Sequence, residues 1–371
     1  MTMDASSSPG AGAAEAAIGS AGAAESAGAA ESARPAESAG AAESAGAAES
    51  AGPGSAAATP TDLVVESVGL GKDYGPIQAV DAIDIAVGRG EFFGFLGPNG
   101  AGKTTMIHML TTLVKPSRGR ATVAGHDIVD EPLSVREQIG LVFQETTLDG
   151  ELSAEENLRL AGRLYGLGRA DLSRRIDEVL ELFELGNRRH DRVRTFSGGM
   201  RRLIDLARGI LHRPTVLFLD EPTVGLDPVN RQRVWVFLER LAREEGITLF
   251  LTTHYLEEAE PCDRVVIVDH GTVIANGTPD GLKRQFGGQE SVELALRGGD
   301  SDALLLEIAG LAGVQPRVSG RRVVLSVDSA EAVMPTLLPL IGNGIQSLSV
   351  RRPTLDDVFI AVTASDGAGR R

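Results

Sequence analysis

Residues 91–105 read Glu91-Phe92-Phe93-Gly94-Phe95-Leu96-Gly97-Pro98-Asn99-Gly100-Ala101-Gly102-Lys103-Thr104-Thr105. The apolar run Glu91–Leu96 has the length and composition of a buried strand. It ends directly in a glycine-rich loop, and a helix is expected from about Lys103. Gly97–Thr104 matches the Gly-x4-Gly-Lys-Thr pattern of a phosphate-cradling loop in full. Its glycines let backbone N–H groups turn inward around a phosphate, and the helix behind them adds its positive dipole end. Lys103 is then placed for the β- and γ-phosphates, Thr104 for Mg²⁺, and Thr105 continues the first turn.

A second strand pattern, Val216-Leu217-Phe218-Leu219-Asp220-Glu221, delivers two carboxylates at its end. Asp220 is the candidate Mg²⁺ ligand and Glu221 the candidate base for an attacking water. These are the Walker A and Walker B patterns, and alone they say only nucleotide hydrolysis. Between them lies Phe196-Ser197-Gly198-Gly199-Met200 at the start of an expected helix. It resembles the ABC signature, with Phe for the usual Leu and Met for the usual Gln. Ser197, Gly198 and Gly199 supply a hydroxyl and unobstructed amides at a helix N-terminus, a second phosphate-binding surface.

Four more positions follow from that resemblance. Tyr74, upstream of the glycine loop, matches the aromatic that stacks on adenine. Gln144, after the expected strand Ile139–Phe143, matches the glutamine that touches Mg²⁺ and the attacking water. Asp227, in Gly225-Leu226-Asp227, matches the aspartate that faces an opposing subunit. His254, after Leu251-Thr252-Thr253, matches the histidine that contacts the γ-phosphate. The expected catalytic set is Glu221, His254, Gln144 and Lys103. ATP is held by Tyr74, Gly97, Pro98, Asn99, Gly100, Ala101, Gly102, Lys103, Thr104, Thr105, Ser197, Gly198, Gly199 and Asp227. Mg²⁺ falls to Thr104, Gln144 and Asp220.

Around these motifs the chain divides into three expected parts. Residues 1–60 repeat the hexad Gly-Ala-Ala-Glu-Ser-Ala from Gly22, Gly28, Gly40 and Gly46, with a variant from Arg34. Alanine alone buries too little surface to offset ordering entropy, so this part reads as a disordered tail. From residue 61 to 284, strands at Leu63–Val68, Ile83–Val87, Val216–Leu219, Thr248–Leu251 and Arg264–Val268 alternate with helices. The helices are expected near Ala154–Tyr165, Leu172–Leu185, Gly198–Leu211 and Val229–Glu245. That order implies a largely parallel, covered sheet closed by a hairpin near Asp269–Thr272. Beyond a boundary at Gly281–Gln289, residues 285–371 follow a βαββαβ order resembling a ferredoxin-like fold. Its segments are Val292–Leu296, Ala303–Leu311, Pro316–Val318, Arg322–Val327, Ala330–Ile341 and Ile345–Val350. The fold class is thus α/β, an ABC-type P-loop NTPase domain with a helical subdomain, plus a small α+β accessory domain.

Composition narrows the partners. The net charge is −15, and the Asp and Glu of residues 1–60 exceed their single Arg by six, leaving about −9 elsewhere. Nucleic-acid binding is not expected of so acidic a chain. The lone Cys262 leaves no internal disulfide and no cysteine-rich zinc site, which fits a reduced interior. No window approaches the roughly 20 apolar residues of a spanning helix, and no signal peptide opens the chain. Any membrane role is therefore expected to come through a partner.

Within ABC proteins the resemblance runs from about Thr61 to Val362. It is to ATP-binding subunits of the daunorubicin-resistance type, which energise drug and lipid exporters. Leu152–Tyr165, Gly225–Trp235 and Tyr255–Asp263 share that look, and Arg352-Pro353-Thr354-Leu355-Asp356-Asp357-Val358-Phe359 resembles the end motif of the group's accessory domain. The resemblance implies a head-to-tail dimer, a homodimer or else a pairing with a homologous cassette, bound to a separate integral membrane permease at the cytoplasmic face of the cell membrane. The stretch Gln144–Leu167 would meet the permease. The alternatives are an importer ATPase, or a soluble ABC protein acting on nucleic acid or ribosomes. Against the latter, the chain carries one set of motifs, no long coiled coil between Lys103 and Ser197, and no zinc cysteines.

Overall fold

Two twelve-residue strands, β1 (Leu63–Tyr74) and β2 (Ile77–Gly88), open the part of the chain that the computed structural model describes, residues 62–298 and 302–369. The hexad repeats expected as a disordered tail lie outside the described residues. Both strands run further than their apolar cores suggested. Pairing continues past Ser67 through bulges at Ser67/Leu70 and Leu70/Lys72, which absorb Gly69, Gly71 and the polar residues that break the alternation.

β3 (Phe92–Leu96), the glycine loop and α1 (Lys103–Leu110) follow as expected. β4 (Arg118–Val123) and β5 (His126–Asp127) then return to β1, making an antiparallel sheet of order β2-β1-β4-β5. The sequence reading had not separated this sheet from the parallel one. Next come α2 (Pro132–Gln138), β6 (Ile139–Val142), α3 (Ala154–Leu164), α4 (Arg169–Leu182) and α5 (Gly198–Ile210). They are followed by β7 (Val216–Asp220), α6 (Pro228–Arg243), β8 (Thr248–Thr253), β9 (Arg264–Asp269), β10 (Thr272–Gly277) and α7 (Pro279–Phe286).

The second sheet has the order β10-β9-β3-β8-β7-β6, parallel except for the β9–β10 hairpin. Every residue of β3, β7 and β8 is buried, as strands covered on both faces must be. The period-two alternation of β3 splits its phenylalanines. Phe93 and Phe95 face α1 and the antiparallel sheet, with ring centroids 5.1 and 5.9 Å from Phe250. Phe92 and Leu96 face the other core, shared with α3–α6. Ser153 and Glu156 form a reciprocal capping box that fixes the start of α3.

The last part holds β11 (Glu290–Leu296), α8 (Asp302–Ala312), β12 (Arg317–Ser319), β13 (Arg322–Val327), α9 (Ala330–Leu337) and β14 (Ile345–Arg351). Its antiparallel order β12-β13-β11-β14 is the ferredoxin-like arrangement expected from the βαββαβ pattern. α9 stops short of Ile341 and passes into a 3₁₀ turn at Leu338–Leu340. Pro335 and Pro339 withhold the N–H groups a longer helix would use. A final helix, α10 (Leu355–Gly369), was not foreseen. It packs back on α7 and β10, and Leu355, Val358 and Val362 are buried in the same core as Phe92 and α3–α6.

Candidate functional site

The glycine loop connects the C-terminal end of β3 to α1, at the edge where parallel strands leave their chain ends open. Gly102 caps α1 at φ 100°, a left-handed conformation, and a Cβ there would meet the Ala79 carbonyl at 2.4 Å. No side chain caps this helix, so its first amides remain turned to the loop's interior. Lys103 is buried, with Nζ donating to the carbonyls of Gly97 at 2.9 Å and Pro98 at 3.1 Å. The same ammonium lies 3.4 Å from Glu221 Oε1.

β7 is two strands from β3, with β8 between, and its end brings both acids to this loop. Thr104 Oγ1 reaches Asp220 Oδ1 at 3.4 Å. A hydroxyl and a carboxylate side by side suit Mg²⁺, which keeps several waters and takes its other ligands from phosphate oxygens. Glu221 is buried and adopts a left-handed φ of 47°. His254 follows β8, with Nδ1 3.0 Å from Glu221 Oε1, though not aligned for a hydrogen bond. Lysine, glutamate and histidine thus meet around one carboxylate oxygen.

Lys103, Thr104, Glu221 and His254 line one cleft of about 650 Å³, together with Tyr74, Asn99, Gly100, Thr105 and Gln144, while Asp220 is buried behind Thr104. Tyr74 ends β1 half-exposed, and Lys72 Nζ stands 5.2 Å from its ring centroid. Ala101 is buried beneath the loop.

Ser197, Gly198, Gly199 and Asp227 do not line this cleft; they form a separate surface at the starts of α5 and α6. Ser197 is exposed and caps α5, accepting from the Met200 N–H at 3.2 Å. Gly199 is pressed against α6, where a Cβ would meet Asn230 Oδ1 at 2.1 Å. Asp227 caps α6 by accepting from the N–H groups of Val229 and Asn230, each at 3.1 Å. The Asn230 N–H and side-chain amide hold its carboxyl below the usual carboxylate range.

Two supports were missed by the sequence reading. Thr252 Oγ1 donates to Asp220 Oδ1 at 2.6 Å and fixes its orientation. Glu258, buried, accepts from Thr253 Oγ1 at 2.8 Å and from Thr223 Oγ1, joining the segment after β8 to the turn after β7. The signal was present: two threonines at the end of a fully buried strand need partners.

Comparison with known proteins identifies the family. The family described as ABC transporter matches residues 80–224, and the ATP-binding protein DrrA1-3-like C-terminal domain matches residues 277–363. The daunorubicin resistance ATP-binding protein DrrA3 of Streptomyces coeruleorubidus is 44% identical over 309 residues, covering 82% of this chain and 97% of that protein. The doxorubicin resistance ATP-binding protein DrrA of Mycobacterium tuberculosis is 42% identical over 319 residues, covering 81% and 94%. Among solved structures, a dimeric post-hydrolysis ATP-binding cassette bound to ADP and Pi aligns with TM-score 0.52 and 26% identity, over 58% of this chain and 98% of that one. The chain belongs to the ATP-binding, ATP-hydrolysing subunits of ABC transporters, in the daunorubicin-resistance group.

Proposed function

We propose that this subunit drives export of a drug-like or lipid compound through a separate membrane permease, at the cytoplasmic face of the cell membrane. Support comes from its relatives, two of which are named for resistance to daunorubicin and doxorubicin. Among the described residues no helix is long and apolar enough to cross a membrane. Residues 61–284 are read as the nucleotide-binding domain and 285–371 as an accessory domain, with α10 strapping the second to the first.

The observation that carries the mechanism is the separation of the two phosphate-binding surfaces. The cleft of Lys103, Thr104 and Glu221 and the surface of Ser197 and Asp227 are not brought together within one chain. In a head-to-tail homodimer each cleft would receive the partner's Ser197 surface, and ATP would be clasped between them. Lys103 and the loop amides hold the phosphates, Gln144 orients the attacking water, Glu221 takes its proton, and His254 steadies the γ-phosphate. Thr104 and Asp220, with Gln144 beside them, would hold Mg²⁺, which would supply charge neutralisation to the phosphates. Catalysis is then positioning plus electrostatic stabilisation, and closure excludes bulk water.

Inverted membrane vesicles from the cell that carries this chain test the proposal. They should accumulate an anthracycline when ATP is added, and Glu221→Gln should abolish that accumulation. Equal accumulation with parent and variant would contradict it.

A further inference from the structure

Arg202 lies one turn into α5, is buried, and forms no ion pair among the described residues. Its guanidinium instead donates to three main-chain carbonyls. Nε reaches Pro222 O at 2.5 Å, one terminal nitrogen reaches Phe143 O, and the other reaches Glu221 O at 3.4 Å. Phe143 immediately precedes Gln144. One side chain therefore joins the helix that Ser197 begins to the backbone of Glu221 and to that of the residue immediately before Gln144, the two residues read as handling the attacking water.

Two features make this more than packing. Burial without a bonded carboxylate is costly for a cation, and an apolar residue of similar volume is often tolerated as well or better in such a place. Burial pushes the Arg202 pKa down only to about 10, so the charge persists at neutral pH. Glu221, meanwhile, holds a left-handed backbone, a conformation that persists in a non-glycine residue only when its surroundings enforce it. Its N–H donates to Thr252 O at 3.0 Å, and its carbonyl is gripped by Arg202. Lower on the same helix, Arg208 pairs with Asp205 at 3.0 Å and donates to Thr147 O at 3.4 Å. α5 thus holds the segment after β6 at two points, Phe143 and Thr147.

We propose that Arg202 is a positioning residue: it sets Gln144 and Glu221 relative to each other and links both to the Ser197 surface that serves the partner's ATP. The inference rests on the reading of Gln144 and Glu221 as the groups that place and activate water. The planar fork of arginine reaches these three carbonyls from three separate nitrogens in fixed directions, whereas a lysine ammonium sends all its donors from a single point.

The test is full-length Arg202→Lys. At saturating ATP its turnover should fall about ten- to a hundredfold, the scale of a small misplacement of reacting groups. The Kd for ATP should stay within about twofold, because the Lys103 cradle is untouched. Added to Gln144→Ala, the loss should not multiply, because both changes disturb one arrangement. Turnover close to the parent, parallel loss of affinity and turnover, or fully multiplicative losses would each overturn the proposal. Should Arg202→Lys fail to fold, Arg202→Gln, which keeps neutral donors, is measured in the same way under the same criteria. Glu221→Gln separates the two layers of the argument. If it still turns over, the reading of the catalytic pair fails; if it is inactive while Arg202→Lys is not, only the role of Arg202 falls.

Discussion

The starts of α1 and α5 are both glycine-bearing helix N-termini suited to phosphate, yet their surroundings differ. α1 has Gly102 at its cap, no side chain on its first amides, a buried lysine, and Asp220 and Glu221 within reach. α5 begins at an exposed Ser197 whose hydroxyl already accepts from Met200, and its near neighbours are Asn230 and Leu226. The first carries acid, base and cation from its own chain. The second offers a hydroxyl and amides but none of the groups that hydrolysis needs. On the proposed reading, one is a catalytic cleft and the other the lid for a second copy of that cleft.

Altering each half separately sharpens the contrast. Lys103→Ala should weaken ATP binding about 10- to 100-fold, since a charge-assisted hydrogen bond to phosphate is worth roughly 1.5–3 kcal/mol. Ser197→Arg should leave the affinity of an isolated subunit within about twofold while stopping turnover, because its surface serves the other chain's nucleotide. Equilibrium binding of labelled ATP to both variants checks this. Equal loss of affinity would erase the distinction between the two helix starts. The smallest effect belongs to residues 1–60, whose Ala/Gly/Glu/Ser hexads offer no apolar face to bury. Their removal should leave turnover and melting temperature unchanged, and a drop of several degrees in a thermal melt would show that they pack.

How legible each part was follows from how local its physics is. The phosphate site read at Gly97–Thr105 rests on backbone amides of consecutive residues, so its pattern is written in order along the chain. The same holds for Asp220 and Glu221 at the end of an apolar strand and for Ser197 at a helix cap. The clamp at Arg202 was not legible, because its acceptors are carbonyls of Phe143, Glu221 and Pro222, and a carbonyl leaves no mark on residue identity. Thr223 and Glu258, far apart in sequence, likewise meet only through the fold. The βαββαβ order of residues 290–351 was readable from its alternation, whereas the return of α10 to the first core was not. Leu355, Val358 and Val362 have helical spacing, but spacing says only that a face is buried, not which core receives it.

The central claim, that each ATP is shared between two chains, is tested most directly by mixing two inactive variants. Lys103→Ala lacks the cradle lysine, and Ser197→Arg blocks the opposing surface. In a heterodimer both defects fall on one nucleotide site, and the other site keeps an intact Lys103 from one chain and an intact Ser197 from its partner. Mixing should therefore restore nucleotide trapping at one site per heterodimer, with phosphate release following if a single competent site suffices. If heterodimers are shown to form and neither trapping nor phosphate release returns, the two surfaces do not share a nucleotide and the account is wrong.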